Sequence, residues 1–248
     1  MLKMDFFKKT LLFITCMVFL AACQSPNYKN PAQQSEQEDI LLKSQNYTGL
    51  INLYRGYLKE KDDPAVRLKL CQYYYLAGDY KSSLYYLQPL STKADINVYT
   101  LQARNMISLG DYKQAVRVTD RMLQASPQSA EAYNLRGIAL ALSGDLAGGG
   151  NAIQKSREFF IADDVAINNL AMVALLDQRY QDAVGLLLPS YLRGRKQPRL
   201  LHNLVLALVK SGDSRYAKDI IRNEKLSDYP DEVVESLGYV DTLKLGGA

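Results

Sequence analysis

The chain has 248 residues, 48% of them hydrophobic, and its 30 basic and 26 acidic side chains give a formal net charge of +4. Such a near balance argues against a nucleic-acid partner, which selects strongly basic surfaces. Three cysteines and one histidine supply neither a disulfide framework nor a thiol, imidazole and carboxylate set at nucleophile or metal spacing, so the chain reads as a non-enzyme without metal or cofactor.

Residues 1–22 are a basic stretch (Lys3, Lys8, Lys9 around Asp5), an apolar run from Thr10, and small residues at Ala21 and Ala22. That order is the order of a secretory signal. The apolar run of 13 residues is shorter than the roughly 20 needed to cross a bilayer as a helix. Leu20-Ala21-Ala22-Cys23 resembles the bacterial lipobox. The resemblance implies that the Cys23 thiol is alkylated by diacylglycerol, the chain is cut before it, and the new amino group is acylated, palmitate being a typical chain. Several acyl chains at about 0.8 kcal/mol per buried methylene make such anchoring permanent. Gln24 stands where an aspartate would retain the protein in the inner membrane, which implies an outer-membrane anchor with the chain facing the periplasm. Losing three lysines and one aspartate with the signal leaves a net charge of about +2.

Residues 23–39 contain two prolines, Pro26 and Pro31, and little apolar periodicity, and they read as a flexible, lipidated tether. Cys16 leaves with the signal and Cys23 takes the lipid. Cys71 then remains alone, inside the apolar pattern "LKLCQYYYLAG", as a small hydrophobe.

From residue 40 a turn signal recurs: "SQNYTG" at Asn46, "AGDYKS" at Asp79, "LGDYKQA" at Asp111, "SGDLAG" at Asp145, "DQRYQDA" at Arg179 and "SGDSRYA" at Asp213. The steps are 33, 32, 34, 34 and 34. A fixed period of this length marks a repeat architecture. Each unit holds an apolar helical stretch, a Gly-Asp type turn and a second helical stretch, which together form a helical hairpin. Small residues stand where the two helices of each hairpin must cross: Cys71, Ala103, Gly137, Ala171 and Val205 in the first helices, Ser83, Ala115, Gly149, Ala183 and Ala217 in the second.

This pattern resembles the tetratricopeptide repeat over residues 40 to 226. The resemblance implies an all-α solenoid of about six hairpins, near 40–63, 64–95, 96–129, 130–163, 164–197 and 198–231, with a capping helix over 232–245. Stacked hairpins form an extended concave surface, so an interaction scaffold is expected.

Within that frame Asn134, Asn168 and His202, each 34 residues apart, occupy one position on successive first helices, which the family resemblance places in the inner groove. They form a candidate ladder for a peptide backbone, with Asn169 and Asn203 helping to hold the helices; packing between repeats is the other reading. Tyr73, Tyr75, Tyr85 and Tyr86 cannot all face one core, because consecutive residues point about 100° apart, so part of them should be open to a protein partner. Arg193, Arg195, Lys196 and Arg199 follow Pro189 on a basic loop that could meet an acidic partner or anionic lipid, or simply be solvated. Pro89 and Pro189, each nine residues after a turn tyrosine, should stop or kink their helices. Gly148, Gly149 and Gly150 cost a helix up to about 1 kcal/mol each against alanine, which makes the fourth hairpin the expected soft point.

The segment "YNLRGIALALSGDL…INNLAMVALLDQRYQDAVGLL…LHNLVLALVKSGDSRYAKDIIRNEKL" resembles the TadD-like lipoproteins of the tight-adherence (Flp pilus) system, most strongly over residues 130 to 226. The resemblance implies an outer-membrane lipoprotein that assists pilus assembly and secretion, with the secretin or another pilus-assembly subunit as partner. Two related roles stay open from sequence: an adaptor that recruits periplasmic peptidoglycan hydrolases or proteases, and a pilotin of type IV pili.

Overall fold

The computed structural model describes residues 31–91 and 95–240. The chain divides into two compact units, residues 1–50 and 51–248. In the first, helix α1 spans Pro31–Lys43 and α2 begins; α2 runs Tyr47–Glu60. Between them Gln45 takes a left-handed φ of 53°, and the Asn46 carboxamide accepts the Gly49 amide at 2.9 Å. Residues 31–39, read from sequence as tether, are therefore helical. Proline at the first helical position favours a helix start, since its missing N–H would go unbonded there anyway.

The second unit continues with α3 (Pro64–Leu76), α4 (Tyr80–Leu87), α5 (Ile96–Ser108), α6 (Tyr112–Ala125), α7 (Ala130–Leu142), α8 (Leu146–Glu158), α9 (Asp163–Leu176), α10 (Tyr180–Leu192), α11 (Pro198–Lys210), α12 (Ser214–Asn223) and α13 (Pro230–Tyr239). Each odd helix from α3 to α11 pairs with the even one after it, and successive odd helices also touch one another. From α3 onward the odd helices thus form one layer and the even helices the other.

The turn inside each hairpin explains the sequence period. Gly78, Gly110, Gly144 and Gly212 adopt φ between 79° and 100°, a conformation that costs other residues about 1–2 kcal/mol. The aspartate that follows each of them caps the next helix: Asp79, Asp111, Asp145 and Asp213 accept the backbone amides of Ser82, Gln114, Gly148 and Tyr216. In the fifth hairpin Gln178 takes the left-handed place at φ 57°, and Arg179 offers no side-chain cap to α10.

The small residues at the crossings are buried, Cys71, Ala103, Ala171, Ser83, Ala115, Ala183 and Ala217 completely. In the fourth hairpin the approach is closest. A Cβ on Gly149 would lie 2.8 Å from the Gly137 carbonyl oxygen and 2.8 Å from the Ala141 nitrogen, and one on Gly137 would meet the Gly149 carbonyl at 2.8 Å. The expectation of a soft point is thereby corrected: two glycines let α7 and α8 meet backbone to backbone, and contact replaces the lost helix propensity.

The two prolines also part company. Helix α4 ends at Leu87 and Pro89 lies in a 3-10 turn over Gln88–Leu90, but α10 runs through Pro189 to Leu192. Proline clashes with the carbonyl four residues back, and that residue is Gly185, whose backbone yields most easily. Buried Ser190 and the Tyr191 hydroxyl, 2.9 Å from Glu224, hold the final turn in place. At the far end Val234 of α13 is buried against the cluster of α9 to α12, with Val233 and Leu237 packed beside it, so the last hairpin has its apolar face covered.

Candidate functional site

The layer of odd helices carries a groove of about 680 Å³. It starts at Tyr75 of α3, passes Arg104 and Ile107 of α5, Asn134 and Ile138 of α7, and Val165 and Asn168 of α9, and ends at Arg199 and Leu200 of α11. Alternate helices align these residues because each is offset from the last by one repeat.

Two amide pairs connect neighbouring repeats across the groove floor. Asn169 Nδ2 donates to Asn134 Oδ1 at 2.7 Å, and Asn203 Nδ2 donates to Asn168 Oδ1 at 3.0 Å. Each acceptor oxygen is thus tied to its neighbour by one bond, and the Nδ2 groups of Asn134 and Asn168 donate none among the described residues, which leaves those N–H groups free for a ligand. Asn134 and Asn169 are buried, and Asn168 is half-buried. The rims add charge. Arg104 pairs with Glu131 at 2.7 Å, Gln197 donates to Asp164 at 3.3 Å, and Arg199 is exposed without an ion pair among the described residues. An apolar floor with convergent donors and a polar rim suits an extended peptide.

The structure brings Asn134 and Asn168 into one groove and leaves His202 out. His202 holds the equivalent place on α11, but it is exposed and does not line the groove, since the helix that follows next in the layer is the cap α13. Spacing alone predicted three rungs; a rung needs a further repeat to wall it. The groove residues Arg104, Glu131, Asp164 and Gln197 were not legible in sequence, because they differ from repeat to repeat.

The four tyrosines separate. Tyr73 is buried, edge-on to Tyr54 at 5.1 Å, and is no partner surface. Tyr75 joins the groove, and Tyr85 stands 67% exposed on α4 beside half-buried Tyr86. The basic residues separate too. Lys196 is bound to Glu224 at 2.7 Å, Arg193 donates to the Ser190 hydroxyl at 3.2 Å, Arg199 sits in the groove, and Arg195 is exposed. They do not act as one patch. Burial pushes the Cys71 thiol up to about 12, so it stays protonated and unreactive. Leu20, Ala21, Ala22 and Cys23 lie outside the described residues.

Known structures share this arrangement. A tetratricopeptide-repeat protein of Thermus thermophilus superposes with a TM-score of 0.61 at 18% identity, over 71% of this chain and 99% of that one. Another, from Parabacteroides merdae ATCC 43184, gives 0.61 at 15% identity over 85% and 94%. The fold is the tetratricopeptide-repeat fold. The Cut9–Hcn1 hetero-tetramer of the APC/C gives 0.64 at 18% identity and covers 92% of this chain, which spans only 45% of that longer chain. No protein-family model matches the sequence, and no curated protein matches it.

Proposed function

We propose that this chain is a non-enzymatic protein-interaction scaffold, anchored through lipid on Cys23 to the outer membrane and facing the periplasm, that assists assembly of a tight-adherence (Flp) pilus by holding an extended segment of the secretin or of another pilus-assembly subunit. The observation that carries the scaffold reading is the groove along the odd helices, where Asn134 and Asn168 have their acceptor oxygens engaged by Asn169 and Asn203 and their N–H groups free. Fixing an amide before binding lowers the entropy lost on capture. The pilus assignment rests on the sequence resemblance over residues 130 to 226, and the anchor on the lipobox.

The test places a photo-crosslinking amino acid at Ile138, in the groove, in the full chain in pilus-producing cells. A crosslinked adduct containing the secretin or another pilus-assembly subunit supports the proposal. Adducts confined to peptidoglycan hydrolases or proteases would replace it with the adaptor role, and no adduct from Ile138 would remove the groove from the function.

A further inference from the structure

A second cleft of about 300 Å³ lies between the even helices α2 and α4, and it shares no residue with the groove. One wall is cationic. Arg55 and Lys59 stand one turn apart on α2, both exposed, and neither forms an ion pair among the described residues. The other wall is aromatic. Tyr74 stacks on Tyr86 at 5.4 Å between centroids with an interplanar angle of 14°, and Tyr85 meets Tyr86 edge-on at 5.3 Å. The rings thus hold one another, and Tyr85 remains open to solvent. At the end of the cleft Arg67 is neutralised by Asp62 at 2.7 Å, so the unpaired charge is that of Arg55 and Lys59. Burial raises the Tyr74 phenol, and the Arg55 charge acts in the opposite sense, which ties the cationic wall to the aromatic one.

We infer that this cleft binds an acidic peptide segment of a partner protein, with carboxylates set against Arg55 and Lys59 and an apolar side chain laid on Tyr85 and Leu58. Two free cations select negative charge. The exposed ring and Leu58 offer contact area that a bare phosphate would not use, and tyrosine held by its neighbours loses little entropy when a partner covers it. Sequence reading found the tyrosines but not the cations, because the fold brings the two together from different repeats. This second surface would let the scaffold hold one partner on each layer of helices.

The test uses the full chain and a fluorescein-labelled hexapeptide of alternating glutamate and leucine, followed by anisotropy, with the glutamine and leucine version as control. The glutamate peptide should bind and weaken as salt is raised, and the glutamine peptide should not bind. The double variant Arg55→Gln/Lys59→Gln should lose on the order of tenfold or more in affinity, and Tyr85→Ala several-fold; Asn168→Ala should leave binding unchanged. Equal binding by the double variant, or a loss in Asn168→Ala matching it, would overturn the inference. So would binding of phosphatidylglycerol vesicles through Arg55 and Lys59 with no binding of the peptide, which would make the cleft a lipid site.

Discussion

Asn169 donates its side-chain amide to Asn134 Oδ1 at 2.7 Å across 35 residues of sequence, and both side chains are buried between the fourth and fifth hairpins. The pair therefore contributes to stacking as well as to the groove. Asn169→Ala leaves a buried carbonyl oxygen without its donor, at a cost of about 1–3 kcal/mol. Asn203→Ala should cost less, because Asn168 and Asn203 are only half-buried and water can substitute. Urea unfolding of the two variants, followed by circular dichroism, checks the order. Equal midpoints for the two variants would show that burial gives the Asn134 pair no advantage over the Asn168 pair, and an Asn169→Ala midpoint equal to the parent's would show that it adds nothing to stability.

Gly149 and Gly150 are neighbours in α8 with opposite expectations. Gly149→Ala forces a methyl against the Gly137 carbonyl and the Ala141 backbone, an overpacking that costs about 1–3 kcal/mol and outweighs the gain in helix propensity. At Gly150 a Cβ would find only Val173, at 3.9 Å, so Gly150→Ala should stabilise by up to about 1 kcal/mol. Thermal melts of the two variants must move in opposite directions. A rise for Gly149→Ala would mean that the hairpin can open at no cost.

These two glycines mark the limit of what sequence discloses here. The 34-residue period was readable because four of the turns use the same two devices, a left-handed glycine and an aspartate cap, and both are specific to residue type. The crossing positions were readable for the same reason, since only small side chains fit there. Whether Gly149 is a defect or a contact depends on the distance to α7, and no local pattern encodes that distance. The tyrosines and basic residues failed as groups because sequence proximity on a helix scatters side chains over different faces: Tyr73 went to the core, Tyr75 to the groove and Tyr85 to the cleft. Pro31 counted toward the tether reading of residues 23–39, yet proline at a first helical position starts a helix.

The fifth hairpin has neither the glycine nor the capping aspartate of the turns before and after it, and supplying them should help. Arg179 has φ −82° and ψ 65°, close to the −81° and 76° of the capping Asp145. Arg179→Asn should therefore cap α10 and add about 1 kcal/mol. The lost pairs with Asp177 and Asp182 are partly exposed and offset only roughly 0.5 kcal/mol. Gln178→Gly, at φ 57°, should add about 1 kcal/mol by removing the cost of a left-handed side chain. Asp145→Ala, the reverse experiment, should lose about 1 kcal/mol. Chemical denaturation of the three variants gives all three signs.

Acid should loosen the C-terminal hairpins first. The Lys196 ammonium holds Glu224 below the ordinary glutamate range, with the Tyr191 hydroxyl assisting, and Lys218 does the same for Asp231. Because the folded carboxylates bind protons less readily than the unfolded ones, their stabilisation is present above the ordinary carboxylate range and is lost as pH falls through the lowered folded values. Glu224→Gln and Asp231→Asn should flatten stability between about pH 5 and 3 relative to the parent. At the other limb Tyr191, pushed up to about 12 by burial and by Glu224, contributes stability below about pH 10 that is lost toward 12, and Tyr191→Phe should remove that slope. Unfolding midpoints measured across pH decide both. Parallel curves for parent and variants would show that these contacts are absent in solution.

The groove itself is tested by separating its rungs. Asn168 presents a free N–H group at the centre of the groove, and its loss should leave the fold close to intact, since only half-buried Asn203 loses a partner. Asn168→Ala should remove one or two hydrogen bonds to a bound backbone, each worth roughly 0.5–1.5 kcal/mol, and so weaken client capture by about two- to 140-fold. Asn134→Ala should weaken capture and also lower the melting temperature, because its carbonyl is the buried partner of Asn169. His202→Ala should do neither, because His202 is exposed beyond the end of the groove. The three variants thus give three signatures when pilus assembly in cells is scored beside melting of the purified chain. Loss of assembly in His202→Ala with full assembly in Asn168→Ala would place the working surface outside the groove, toward the cap helix α13 and away from the asparagine pairs.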